Sequence, residues 1–131
     1  MRGFRGRFLA VLLLTFTLTS AKDKPKPAKV ELKDFKVAVD GSHVNIDGIV
    51  HNAGERTIEN LVLYFHFLDS DHQPVTTLRL DVDDESIDPD EDAEIHAAAN
   101  EPPRSVSVNV TASAHGEKEL TVVNPGPYQI E

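Results

Sequence analysis

From Val30 onward, apolar residues recur at every second position, the period of a strand with one buried face. Phe35, Val37 and Val39 alternate with Lys36 and Ala38, and Val44, Ile46, Gly48 and Val50 alternate with His43, Asn45, Asp47 and Ile49. Between these runs, Asp40-Gly41 suits a two-residue hairpin whose central positions need positive φ. Leu61 to Leu68 (LVLYFHFL) is apolar on both parities, as a central strand would be, and its aromatic residues and flanking turn residues argue against a helix. Leu61, Leu63, Phe65 and Phe67 form the more uniformly apolar set and are expected to face the core. Val62, Tyr64 and His66 then point outward.

Asp69 to Pro74 turns the chain into a strand near Val75 to Val82. The acidic stretch Asp83 to Asp92, containing Pro89, reads as a loop, followed by a strand around Ala93 to Ala99. Asn100-Glu101-Pro102-Pro103 breaks that strand. Val106, Val108 and Val110 then alternate with Ser105, Ser107, Asn109 and Thr111, which puts Ser107 and Asn109 on the outer face. His115-Gly116 predicts a second tight turn before Glu119 to Val123, and Asn124-Pro125-Gly126-Pro127 opens a loose tail. Seven short strands without a helix predict an all-β fold, a seven-stranded immunoglobulin- or fibronectin-like antiparallel β-sandwich. With neither a cysteine pair nor a tryptophan, the antibody type is excluded.

The N-terminus has a different pattern. Arg2, Arg5 and Arg7 precede an apolar run from Phe8 to Leu18, and Thr19-Ser20-Ala21 supplies small residues at a cleavage site, the three parts of a secretory signal peptide. Eleven helical residues would cover about 16 Å against a hydrocarbon core of about 30 Å, too little to span. The organisation expected is a signal peptide at 1–21, a Lys/Pro linker at 22–29 (KDKPKPAK), a β-sandwich at 30–123 and a tail at 124–131. The chain is therefore expected to be exported, with its mature form beginning at Lys22 and carrying no transmembrane span.

Removing Arg2, Arg5 and Arg7 with the leader leaves 10 basic residues against 22 acidic ones, a net charge of −12. Such a field repels nucleic-acid phosphates and anionic headgroups, which excludes nucleic acid as a partner. The absence of cysteine removes disulfides and lipid attachment at the cleavage site.

Gly48-Ile49-Val50-His51-Asn52-Ala53-Gly54 resembles the G-x-V-x-N-x-G signature of the FxLYD family, small immunoglobulin-like β-sandwich domains of bacterial and archaeal exported proteins. Phe65-His66-Phe67-Leu68-Asp69 aligns with the Phe-x-Leu-Tyr-Asp stretch, keeping its first and last residues. Ile87-Asp88-Pro89-Asp90-Glu91 resembles the family's Pro-Gly-Glu turn, with Asp90 in place of glycine. The resemblance implies a non-enzymatic binding or accessory module in the periplasm or outside a bacterial cell, and it transfers no catalytic residue. On physical grounds, Gly54 is expected to supply positive φ, Asn52 to satisfy turn backbone groups, and Gly48 to mark a bulge or a close approach.

No serine lies in a Gly-x-Ser-x-Gly elbow, and the six histidines show neither His-x-His nor His-Glu-x-x-His spacing. The expectation is therefore no enzyme and no cofactor, with Val62, Tyr64 and His66 as the surface for a protein partner or for support of an envelope assembly. The alternative is a calcium-dependent surface or carbohydrate-binding module. It would use the oxygens of Asp81, Asp83, Asp84, Glu85, Asp88 and Asp90, although the stretch lacks the glycine and terminal glutamate of an EF-hand loop.

Overall fold

A computed structural model describes residues 28–131; the expected leader and residues 22–27 of the linker lie outside the described residues. Ala28 is already buried and Lys29 opens the first strand, so the folded unit begins two residues before the expected boundary. Among the described residues the chain is all β, without a helix. The strands are β1 (Lys29–Asp40), β2 (His43–Asn52), β3 (Ile58–Glu59), β4 (Val62–Leu68), β5 (Pro74–Asp81), β6 (Ser86–Ile87), β7 (Asp92–Asn100), β8 (Ser107–Ala114), β9 (Glu117–Val122) and β10 (Tyr128–Gln129). Seven match the expected runs. The other three, β3, β6 and β10, are each two residues long, too short to show a period.

The long strands form one continuous ladder in the order β5-β4-β8-β9-β1-β2-β7, with β10 also paired to β8 and β3 paired to β6 apart from it. Every pairing between these strands is antiparallel except β9 with β1, where Thr121 meets Lys29 and Val122 meets Val30 in parallel. The ladder curls until β1 comes over β4, where the rings of Phe35 and Phe65 stack with centroids 6.0 Å apart. Alternate residues of β1, β2, β4, β7 and β8 fill the space between, and Phe65, Phe67, Ile46 and Leu63 are among the largest fully buried side chains.

One glycine shapes that contact. Between Lys33 and Lys36 the β1–β2 register shifts, so that Asp34 and Phe35 together oppose Gly48. Asp34 takes a φ of 49°, and a Cβ on Gly48 would lie 3.2 Å from both Cα and Cδ1 of Phe35. The bulge and the close approach expected at Gly48 are thus one feature, which brings Phe35 against the backbone.

Several local expectations need correction. Asp40 pairs with His43, so the hairpin turns on Gly41-Ser42 rather than Asp40-Gly41. Only Gly41, at φ 68°, needs the left-handed region, which fits a II′ turn with glycine first. Gly54 does not adopt positive φ; its N–H donates to Asn52 Oδ1 at 3.0 Å. Ile87 in the acidic stretch is buried and pairs with Ile58, so that segment is anchored and not a free loop.

Residues 124–131 are not a loose tail. The Asn124 side chain imitates a strand neighbour, accepting from Leu32 N–H (2.9 Å) and donating to Leu32 C=O (2.8 Å). The Tyr128 hydroxyl donates to Asn124 C=O, and its ring lies 4.5 Å from that of Phe35. Glu131 N–H donates to Val37 C=O (2.9 Å), and Val39 N–H to Glu131 C=O (3.0 Å). Beyond β9, which ends at Val122, the chain passes Pro125-Gly126-Pro127 and re-enters the ladder between β8 and β1.

Phe65→Ala is expected to cost about 3–5 kcal/mol in chemical denaturation, as large-to-small core changes do. Gly48→Ala is expected to cost about 1–3 kcal/mol, because the new methyl presses on Phe35 backbone that cannot yield cheaply. An alanine at position 48 that leaves the denaturation midpoint unchanged would contradict the close approach.

Candidate binding face

The expected surface residues sit on β4, the strand between β5 and β8. In register, Val62 lies between Asp81 and Ser113, Tyr64 between Arg79 and Thr111, and His66 between Thr77 and Asn109. All three are half-buried, whereas Leu63, Phe65 and Phe67 are at or below 1 % exposure, so the expected parity holds. His66 is fixed across three strands: Nδ1 lies 3.0 Å from Thr77 Oγ1 and Nε2 2.8 Å from Thr111 Oγ1. Either tautomer can be satisfied, because a hydroxyl both donates and accepts. With hydroxyls at both nitrogens, His66 has no carboxylate to orient it as a triad base. Tyr64 borders a shallow depression of about 600 Å³ lined also by Ser113, Ala114, Gly116, Glu117 and Lys118.

Ser107 does not share this face. It is 1 % exposed, and Leu68 opposite it is also buried despite its outward parity. Here the chain returns over the sheet: Val106 N–H donates to Leu68 C=O (2.8 Å), Pro102 is buried and Gln129 pairs with Ser107. Asn109 remains half-buried as part of the face.

The carboxylates proposed for calcium are dispersed. Asp81 is 3.0 Å from both Nε and Nη2 of Arg79. Burial of Ile87 splits the stretch, leaving Asp83, Asp84 and Glu85 on one side and Asp88 to Asp92 on the other. Asp83 and Asp84 border a shallow depression of about 730 Å³ with Asp34, Asp47, Glu94 and His96. Asp88 accepts from the Thr57 hydroxyl at 2.9 Å, and Asp90 lies 3.2 Å from His51 Nε2. Among the described residues no three His, Cys, Asp or Glu side chains are placed to hold a metal ion. The six carboxylates named for the calcium alternative, Asp81, Asp83, Asp84, Glu85, Asp88 and Asp90, are thus not gathered at one point: the β3–β6 pair holds residues close in sequence apart.

His51 sits between two carboxylates, with Nδ1 2.6 Å from Asp92 Oδ1. That hydrogen bond, first among the causes and aided by the charge of Lys33, holds the Asp92 carboxyl below its usual value against a smaller opposing effect of burial. Asn52, expected only to serve a turn, joins more than one. Its side chain is fully buried, donates to the carbonyls of Arg56 and Ile87 (2.8 Å each) and accepts from Gly54 N–H. Its backbone donates to Glu91 C=O and accepts from Asp90 N–H, at 2.9 Å in both cases.

Asn52→Ala is expected to cost on the order of 3 kcal/mol, because it strands two carbonyls and an N–H without removing the need to satisfy them. For Asp92 the folded value is depressed, so its contribution is complete above the ordinary 3.8 and is lost as pH falls through the lowered value. His51→Gln is expected to lower the melting temperature near neutral pH and to flatten its fall on acidification. An acid limb of unchanged slope would show that the His51–Asp92 bond carries none of it.

No family model matches the chain, and no curated protein matches it. Among solved structures, IrmA from Escherichia coli is similar at a TM-score of 0.51 and 12 % identity, over 82 % of this chain and 99 % of that one. The Pseudomonas fluorescens alkylpurine DNA glycosylase AlkC aligns at 0.46 and 12 % identity, over 79 % of this chain and 31 % of that one. A CARDB domain from Pyrococcus furiosus, solved with di-metal ions, aligns at 0.40 and 13 % identity, over 80 % and 83 %. The likeness to IrmA concerns the fold alone.

Proposed function

We propose that the chain is an exported, non-enzymatic module that binds a protein partner, or supports an envelope assembly, through the outer face of β5, β4 and β8. Its architecture is read as an immunoglobulin-like sandwich of the fibronectin arrangement, with β1-β2-β7 packed against β5-β4-β8-β9. The stacking of Phe35 on Phe65 across the core supports this reading. The kinship with the FxLYD family draws support from its motif positions: Gly48 gives way to Phe35, Val50 is buried, and Asn52 ties the strand end. Asp90, standing where the family has glycine, takes a φ of 72°.

The observation that carries the binding role is Tyr64, half-exposed at the centre of a face whose neighbours are Val62, Thr111, Ser113 and the aliphatic stem and charge of Arg79. Partial exposure of an aromatic with an adjacent depression is the setting in which an interface gains most from one side chain. The leader and the −12 charge of the mature chain agree with work in the periplasm or outside the cell.

The test is retention of an envelope protein by the exported chain, whose mass should correspond to a start at Lys22. Tyr64→Ala should change folding stability by no more than about 1 kcal/mol, as expected for a half-exposed cross-strand position, yet reduce that retention sharply. Retention indifferent to Tyr64→Ala, or loss of stability as large as that of Phe65→Ala, would remove this face from the reading.

A further inference from the structure

The ladder has two end strands, β5 and β7. Which backbone groups β5 presents follows from its register. Val82 N–H donates to Leu61 C=O at 3.0 Å, in the register that sets Leu80 opposite Leu63 and Leu78 opposite Phe65. Bonded positions alternate along an antiparallel pair, so Leu78 and Leu80 direct their backbone groups to β4. Thr77, Arg79 and Asp81 therefore direct theirs away from the sheet.

The two edges differ in how far they are finished. On β7 the inward residues Ala93, Ile95 and Ala97 are buried, and the outward ones include Asp92 and Glu94, like charges that oppose self-pairing. On β5, Leu78 and Leu80 face the core yet are only partly buried, and the outward charges are one of each sign.

We propose that β5 is a dimerisation edge that receives β5 of a second copy of this chain, antiparallel, with the two-fold axis between the two Leu80 residues. In that register Arg79 of each copy stands opposite Asp81 of the other, and each such pair exchanges backbone N–H···O=C bonds. A shift to the neighbouring bonded register sets Arg79 against Arg79, so charge selects the first. The Leu80 pair falls at a non-bonded position, where side chains approach more closely and cover what the monomer leaves half-exposed. Within one copy Arg79 and Asp81 already pair at 3.0 Å, but their side chains are 60 % and 70 % exposed and free to exchange partners. The contact is self-complementary, as a closed two-fold interface requires. It does not rest on the partner-binding role: the Tyr64 faces of both copies would stay uncovered on one continuous sheet.

Sedimentation equilibrium of the mature chain over a concentration series reads this directly, with circular dichroism confirming the fold of each variant. A reversible monomer–dimer equilibrium is expected. Arg79→Asp and Asp81→Arg should each weaken it by about tenfold, because two symmetry-related pairs become like-charged. The double variant, which swaps the charges, should recover the dimer, and Tyr64→Ala should leave it unchanged. A chain that stays monomeric at every concentration would overturn the proposal, as would dimers indifferent to the single reversals or not recovered by the double.

Discussion

The fold depends on a buried amide. Asn52 is the last residue of β2, and the chain on either side of it would otherwise leave backbone groups unpaired in the interior. Its side chain takes two carbonyls and one N–H from two stretches: Gly54 N–H and Arg56 C=O in the 53–56 turn, and Ile87 C=O in the acidic segment. Burying an amide is unfavourable unless every donor and acceptor is met, and here both amide hydrogens and the oxygen are met. The consequence reaches beyond the turn. Because Ile87 is held by Asn52 and paired to Ile58, the acidic segment is divided, and its carboxylates are presented separately to water and to His51, Thr57 and Lys33.

At the other side of the molecule closure is achieved by backbone. The strand β9 and the segment 124–131 divide the gap between β8 and β1: β9 pairs with the far half of β8, and Tyr128-Gln129 with its beginning. Asn124 bridges the interval between them by standing in for a strand at Leu32. Sealing this side leaves both sheet ends, β5 and β7, on the opposite side. There the 82–91 connection plugs the core with Val82 and Ile87 without adding a strand to either edge.

How much of this is legible in the sequence divides by range. The period of two fixes which side chains of β4 face inward, because a one-residue slip would expose Phe65 and Phe67 and bury His66. Gly48 and Asn52 are legible as residues with a backbone duty, since a glycine within a strand and an asparagine at a strand end have few other uses. Ser107 misleads because its parity is right and its surroundings are not: the cover comes from residues 102–106 and 129, which the alternation of β8 says nothing about. The tail misleads for the same reason. Pro-Gly-Pro describes local conformation correctly, whereas the return of Tyr128 and Ile130 to the ladder is decided by Phe35 and Val37, some ninety positions away. Clustering in sequence misleads at Asp83 to Asp92, where the buried Ile87 of β6 separates neighbours.

The two outer faces differ in what it would cost to cover them. Across β1-β2-β7 the register sets Lys36, Asp47 and His96 in one row and Glu31, His51 and Asp92 in another, with Asp47 and Asp92 each 2.6 Å from a histidine nitrogen. A partner covering those rows would have to desolvate charges already satisfied by their neighbours and by water, a loss that new contacts rarely exceed. Across β5-β4-β8 the rows are Thr77, His66 and Asn109, then Arg79, Tyr64 and Thr111, so most groups are neutral and His66 has both nitrogens occupied by hydroxyls. Covering this face dehydrates an aromatic ring and hydroxyls that can re-pair across an interface, at a smaller cost. The same difference extends to the edges that border the faces: β7 carries the acidic row outward, and β5 carries a balanced one. The denser charge across β1-β2-β7 thus makes that face the costlier one to cover, and β4 with β5 the less costly.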